Sequence, residues 1–203
     1  MHCEKNAAKA ALRKQLRAQR RALTPQDHDR RSRLAAAAIT RLPQFAAGRR
    51  VALYLPFDRE VDTGQLIAAA RRRGVRVFVP VIIDRRHHRV AFHPLQGRTR
   101  RGTFGIRIPE RAGGALAARW FDLVVVPTVG IDRTGRRLGM GGGFYDRLFA
   151  FRRLRKHWRA PRMIGLAFDC QRVETVQAES WDLHFDAVAT ESGLEAIPPR
   201  VIA

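Results

Sequence analysis

Between Asp132 and Arg147 the chain reads DRTGRRLGMGGGFYDR. Gly139, Gly141, Gly142 and Gly143 fall within five residues. Glycines at this density let the backbone approach a ligand closely and point several N–H groups at it. A helix expected to begin near Phe144 adds its electropositive N-terminus. Arg136 and Arg137 add full positive charges. The chemistry this favours is capture of a phosphate-like anion. Asp146, just beyond the glycines, is placed to hold a divalent metal that bridges phosphate oxygens. The run is neither a Walker A loop, which ends in GK[ST], nor a GxGxxG fingerprint, because Met140 and the triple glycine break that spacing. A plain tight turn is the alternative. Its position at a strand's C-terminal end, where ligands bind in open α/β sheets, favours a site.

Other candidates are less specific. Lys9 and Arg13 lie one helical turn apart and could reach the same anion, although a solvated cationic face would read the same way. Glu60 follows a predicted strand and precedes a helix, where a carboxylate can accept hydrogen bonds from ring N–H and amino groups. Asp182 and Asp186 flank the start of the last predicted strand; either could be a second metal ligand, or serve a cap or turn. Phe144, Tyr145 and Trp181 could wall a pocket for a flat heterocycle or belong to the core. His87-His88 has no Cys or His at ligand spacing and reads as surface. There is no GxSxG and no Cys–His pair of nucleophilic type.

These residues need a scaffold. Residues 5–23 are rich in Ala, Leu, Arg and Gln and read as a basic amphipathic helix. Thr24-Pro25 looks like an N-cap and first helical position, opening a second helix that runs to about Arg41. Val51–Phe57 reads as a buried strand. Thr63 caps a helix through Arg73, which Gly74 stops. Val75–Ile83 is a strand with Arg89–Phe92 as its hairpin partner, and His93–Gly114 is loop. Asp122–Val129 is near-continuously apolar, as in a parallel sheet. Met163–Phe168 and Asp186–Thr190 are two more strands. The alternation predicts an α/β fold: a single-domain three-layer sandwich over residues 1–203, its central, mostly parallel sheet flanked by helices.

Composition sets limits. Of 203 residues, 45% are hydrophobic and 28% charged, enough to bury a core and too mixed for a disordered chain. No apolar run approaches the roughly 20 residues of a membrane helix. Lys+Arg number 39 against 18 Asp+Glu, a net charge of +21, yet only four of the bases are lysines. The surplus is spread from end to end, which suits an Arg/Ala compositional bias better than a nucleic-acid tract. Cys3 and Cys170 form no CxxC and no disulfide is expected. No secretory hydrophobic segment opens the chain. A reduced, cytoplasmic protein is the expectation; the Arg-rich opening superficially suits an organelle presequence, but the same bias continues to the other end.

The chain resembles the 5-formyltetrahydrofolate cyclo-ligase (5,10-methenyltetrahydrofolate synthetase) family. The resemblance rests on Asp122-Leu123, Pro127, Asp132 and Gly135-Arg136-Arg137-Leu138-Gly139-Met140-Gly141-Gly142-Gly143-Phe144-Tyr145-Asp146. It extends to KAALR at Lys9–Arg13, YLPFDREVDT at Tyr54–Thr63, FGIRIPE at Phe104–Glu110, IGLAFDCQ at Ile164–Gln171, and Asp182, Asp186 and Thr190-Glu191. The sequence departs from the pattern at Thr128, where glycine is usual, and at Gly142, where some members carry a base. It departs also at Gln177 and Trp181, where proline and histidine are frequent. The resemblance implies a sugar-phosphate-isomerase/CoA-transferase-like sandwich, acting as a monomer on 5-formyltetrahydrofolate and ATP with Mg²⁺. It implies ATP phosphorylation of the formyl oxygen and attack by N10. By the same resemblance, Lys9, Arg13 and Arg137–Tyr145 hold ATP, with Arg137 and Asp146 catalytic. Asp146 and Asp182 hold magnesium, while Glu60 and Met140–Phe144 hold the folate. Two other readings compete: a basic α/β module that binds polyanions, and another phosphate-handling enzyme of this architecture.

Overall fold

The computed structural model describes residues 2–84, 86–102, 105–110, 113–154, 160–179 and 181–198, with the side chains of 2–5 and 154 left aside. Thr103 and Phe104, the latter part of the FGIRIPE segment, therefore lie outside the described residues.

Seven strands form the central sheet: β1 (Arg50–Ala52), β2 (Arg76–Asp84), β3 (Arg89–Pro94), β6 (Leu123–Pro127), β9 (Arg162–Leu166), β10 (Ala187–Thr190) and β11 (Gly193–Ala196). Their order is β11-β10-β9-β6-β1-β2-β3. The pairs β10/β9, β9/β6, β6/β1 and β1/β2 are parallel, while β2/β3 and β10/β11 close the edges antiparallel. The predicted mostly parallel α/β sheet is thus present.

Alternation explains how the sheet is buried on both sides. Leu123 and Val125 face one cluster with Val51, Leu53, Ile164 and Leu166, under α2 (Pro25–Thr40) and α3 (Gly64–Arg72). Val124 and Val126 face the opposite cluster with Phe78, Phe92, Phe121, Phe149 and Phe185. This second face is covered by α4 (Phe144–Leu148), a 3₁₀ turn at Ala150–Leu154 and irregular chain rather than by long helices. Its aromatic rings meet edge-on, Phe92 against Phe121 at 4.8 Å, so that bulky side chains fill what a helix would otherwise cover.

Local chemistry sets the boundaries. Thr24 caps α2, its hydroxyl accepting from Asp27 N at 3.1 Å, with Pro25 in the first turn. Thr63 does not cap α3: its hydroxyl donates to Tyr54 O at 2.7 Å, and Asp62 Oδ1 takes the Gly64 N–H instead. The predicted strand Val51–Phe57 is shorter: β1 ends at Ala52, and after one more bond, from Leu53 N to Phe78 O at 2.9 Å, the chain turns away towards Glu60. The expected loop His93–Gly114 contains a ribbon, β4 (Thr99–Arg101) with β5 (Arg107–Pro109). A further ribbon, β7 (Gly130–Ile131) with β8 (Arg137–Leu138), carries the glycine run away from β6.

Helix α1 (His2–Arg21) docks on this second ribbon. Leu16 sits among Val129, Leu138 and Val176, and a Cβ added at Gly130 would lie 2.5 Å from Leu16 Cδ1. Any side chain at Gly130 would force the buried Leu16 side chain to shift. Leu16→Ala should therefore cost about 2–5 kcal/mol in urea denaturation; a loss below roughly 0.5 kcal/mol, typical of a surface change, would show that the helix is not seated.

Candidate functional site

In the sheet the chain passes from β1 outwards to β2, and from β6 outwards to β9 and β10 on the other side. The C-terminal ends of β1 and β6 are thus a topological switch point, where the connecting loops diverge and leave a crevice. A cleft of about 1170 Å³ opens there. Tyr54 and Leu55 from the end of β1 and Pro127, Thr128 and Val129 from the end of β6 lie in its wall. So does every residue singled out from the sequence as a site candidate by resemblance: Lys9, Arg13, Glu60, Arg137 to Asp146, and Asp182.

The floor of the cleft is held rigidly. Buried Thr128 donates through its hydroxyl towards Gly130 O at 2.8 Å and Leu138 O at 3.1 Å. Its departure from the family's usual glycine therefore serves the β7–β8 ribbon. Gln171, also buried, donates to Thr128 O at 2.7 Å and Val129 O at 2.9 Å. Asp132 ties the turn through Thr134 N, the Thr134 hydroxyl and Arg136 N on one oxygen and Val176 N on the other. Arg136 itself points to solvent, outside the cleft, so only Arg137 of that pair contributes charge there.

Gly141 (φ +96) and Gly143 (φ +62) take backbone conformations that side chains rarely tolerate. The glycine loop they shape runs into α4 at Phe144, and Arg13 Nε donates to Gly139 O at 2.8 Å. Arg137 is buried; its Nη2 donates to Asp146 Oδ1 at 2.5 Å, and its guanidinium carbon lies 5.9 Å from the centre of the Phe185 ring. Its Nε is buried without a hydrogen-bond partner among the described residues. Such a donor is expensive to leave unpaired and suits a ligand oxygen.

Asp146 Oδ1 also accepts from Leu183 N at 2.8 Å. Asp182 Oδ2 accepts from Glu179 N at 2.8 Å. Each carboxylate so keeps its second oxygen unclaimed among the described residues. Asp186, the other candidate ligand, is spent elsewhere: Arg152 Nη2 lies 2.9 and 2.7 Å from its two oxygens, and Met163 N donates to it at 2.6 Å. It is a strand-end anchor. Lys9 Nζ is 3.4 Å from Glu179 Oε1, so the cation on α1 and the segment carrying Asp182 are already linked.

Glu60 reaches the cleft from a loop of unusual geometry. Asp58 (φ +51) and Arg59 (φ +57) are both left-handed without being glycine. The reason lies in α1. Arg17 Nε is 2.7 Å from Asp58 Oδ2, Arg20 Nη2 is 3.0 Å from the same oxygen and 2.7 Å from Asp58 O, and Arg21 Nε is 2.6 Å from Oδ1. Burial would push the Asp58 carboxyl up, but the hydrogen bonds from Arg17 and Arg21 and the charges of Arg17 and Arg20 hold it below the ordinary value. Glu60 behaves oppositely: burial raises it from the 4.5 of an ordinary glutamate to about 7, partly offset by the Phe57 N–H bonded to Oε2 at 3.0 Å and by Arg20. Tyr145, stacked on Phe149, is pushed far up by burial and by Glu60, so it stays a neutral phenol.

Of the two adjacent histidines, only His87 lies on the surface, bonded to Asp84 at 2.7 Å. His88 is half-buried, lines the cleft and packs 5.2 Å from the Phe144 ring, so reading it as surface was incorrect. Its φ of +51 turns the ring inwards off the β2–β3 hairpin, a geometry that sequence spacing does not report. Phe144, Tyr145 and Trp181 all line the cleft, as a pocket for a flat ring requires.

A family model described as the 5-formyltetrahydrofolate cyclo-ligase family matches residues 5–191. A 5-formyltetrahydrofolate cyclo-ligase of Escherichia coli (strain K12) is 35% identical over 183 residues, 87% of this chain and 97% of that protein. The mouse (Mus musculus) protein of the same name is 27% identical over 194 residues, covering 92% and 95% of the two chains. Among solved structures, the 5,10-methenyltetrahydrofolate synthetase of Aquifex aeolicus superposes with a TM-score of 0.78 at 27% identity, covering 96% of each chain.

Two outcomes follow from the charges. Asp58→Ala leaves the Arg20 guanidinium, 1% exposed, without its counter-ion. A loss of about 3–5 kcal/mol in chemical denaturation is expected, and near-neutrality would show that the cluster holds nothing together. For Glu60, the folded protein keeps a proton between pH 4.5 and about 7 that the unfolded chain has released. Stability due to this group is therefore greatest at the acid end and falls as pH rises through that window. Glu60→Gln should gain on the wild type by on the order of 1–3 kcal/mol between about pH 4 and pH 8 in thermal melts; a constant difference would contradict the raised titration.

Proposed function

The chain belongs to the 5-formyltetrahydrofolate cyclo-ligase family, and on that footing we propose that it converts 5-formyltetrahydrofolate and ATP into 5,10-methenyltetrahydrofolate, ADP and phosphate. The observation that carries this reading is the convergence, at one switch-point cleft, of a glycine loop, the cations of α1, the pair Arg137–Asp146 and a half-buried carboxyl at Glu60.

The formyl amide is a poor electrophile. Transfer of the γ-phosphoryl group to its oxygen turns that oxygen into a leaving group. N10 then attacks the formyl carbon, loses its proton, and the C–O bond breaks to release phosphate with the former formyl oxygen. The protein's share is placement and neutralisation of charge. Main-chain N–H groups of Gly139–Phe144 cradle the phosphates, and Lys9 and Arg13 approach from α1. Arg137, a cleft-lining guanidinium held by Asp146, meets the charge that develops on the transferring group. Glu60 holds the polar edge of the pterin, and Phe144, Tyr145 and Trp181 flank the flat ring.

Magnesium fits the donors present. Asp146 and Asp182 each engage one oxygen and leave the other unclaimed among the described residues. No group of three or more His, Cys, Asp or Glu gathers among those residues, so an ion held here takes the rest of its shell from phosphate and water, as Mg²⁺ habitually does. Bound there, it would neutralise the β- and γ-phosphate oxygens.

The reading includes a cytoplasmic monomer acting on small molecules. No helix among the described residues is long and apolar enough to cross a membrane. Against a nucleic-acid module stands the use of the arginines: Arg17, Arg20 and Arg21 on Asp58, Arg31 on Glu191, Arg152 on Asp186 and Arg172 on Asp169 and Glu195.

The test is direct. Purified protein with ATP, Mg²⁺ and 5-formyltetrahydrofolate should raise near-ultraviolet absorbance as the conjugated methenyl product forms; no product refutes the activity. Asp146→Asn should lower turnover by about 100-fold or more with the fold retained, and unchanged turnover would remove Asp146 from the site. Glu60→Ala should raise KM for the folate more than KM for ATP.

A further inference from the structure

The β4–β5 ribbon has two sides. Ile106 and Ile108 line the main cleft. Arg107, between them, faces the other way by strand alternation and lines a second pocket of about 430 Å³. Two more arginines converge there, Arg71 from the last turn of α3 and Arg98 from the turn before β4. Beneath them lie Leu55, Ile67 and Leu95. Leu55 belongs to the walls of both cavities, so the pocket adjoins the cleft across that one residue.

The three arginines are exposed, and none has a carboxylate partner among the described residues; Arg107 Nε donates only to the Thr99 hydroxyl, at 2.9 Å. Arg17, Arg20 and Arg21 of α1, and Arg152 and Arg172 near the sheet ends, by contrast meet acids. Guanidinium groups around an apolar floor match a ligand with an apolar stem and terminal carboxylates. The substrate of the proposed reaction has that form: an aminobenzoyl ring joined to a glutamate with two carboxylates.

We propose that Arg71, Arg98 and Arg107 form the seat for the carboxylates of the substrate's glutamate tail, with the aminobenzoyl ring crossing over Leu55, Ile106 and Ile108. The inference rests on the cyclo-ligase reading. It makes these arginines determinants of affinity rather than of chemistry, since they lie on the far side of the ribbon from Arg137 and Asp146.

The experiment compares folic acid with pteroic acid, which lacks the glutamate, by equilibrium fluorescence titration of wild type and of the Arg71→Gln/Arg98→Gln/Arg107→Gln variant. All three side chains are exposed, and melting curves check the fold. Wild type should prefer the glutamate-bearing ligand by about 10-fold, a preference that shrinks as salt is added. The variant should lose that preference while binding pteroic acid as before, and at saturating 5-formyltetrahydrofolate its kcat should be unchanged. A variant that keeps the preference, or that weakens both ligands equally, overturns the seat. Inorganic phosphate should likewise compete with folic acid and not with pteroic acid; phosphate that competes with both ligands alike overturns the seat. Cyclisation by wild type without any tail preference rejects the seat alone; absence of both cyclisation and pteroic acid binding rejects the reading beneath it.

Discussion

A guanidinium with 1% of its surface exposed must be paired, and Arg20 is paired with Asp58. The remaining architecture of the site hangs on this requirement. To meet Arg17, Arg20 and Arg21 together, the loop after β1 takes two left-handed residues in succession. That loop presents Glu60 to the cleft two residues later. The same helix, pinned at its C-terminal end by Asp58, is seated midway by Leu16 and ends its reach with Arg13 on Gly139 O. One ion cluster, built around the buried Arg20–Asp58 pair, therefore sets the separation between the glycine loop and the glutamate across from it. Charges desolvated in this way contribute little net stability, but the cost of separating them keeps the arrangement single-valued.

Within the cleft the polar groups divide into satisfied and waiting. The floor is satisfied throughout: Thr128, Gln171 and Asp132 spend their hydrogen bonds on the backbone and leave nothing for a ligand. The walls are not. Arg137 Nε has no partner among the described residues, and Asp146 and Asp182 commit one oxygen apiece. A rigid base beneath unsatisfied walls is the pattern expected of preorganised electrostatics, in which the dipoles are set before the ligand's charge arrives.

The glycine loop was legible in the sequence because its chemistry is local: consecutive residues deliver the N–H groups, the positive φ values and the helix start. The parallel sheet was legible through apolar runs such as LVVVP. What escaped is what depends on distant partners. The β4–β5 ribbon lies in a stretch rich in Gly and Arg whose composition says loop, and only its packing beside β2 makes it strand. Strand β11 is mostly exposed and carries little apolar pattern. Thr63 looks like a cap, but the Tyr54 carbonyl claims its hydroxyl. Asp182 and Asp186 are indistinguishable by spacing, and the difference between them is Arg152, over thirty residues away in sequence from Asp186. The +21 surplus reads as a compositional bias spread along the chain, but which arginines meet carboxylates, Arg31 on Glu191 or Arg152 on Asp186, depends on partners far away in sequence.

The bond from Arg13 to Gly139 spans 126 residues of chain. Helix α1 leaves the ribosome well before the ribbon it rests on, and its Leu16 has no seat until Val129, Leu138 and Val176 have all been made. Asp58 alone can hold the C-terminal end of α1 early, but the rest of the helix is seated only by residues more than a hundred positions later, and the cleft gains its α1 wall only once they are in place.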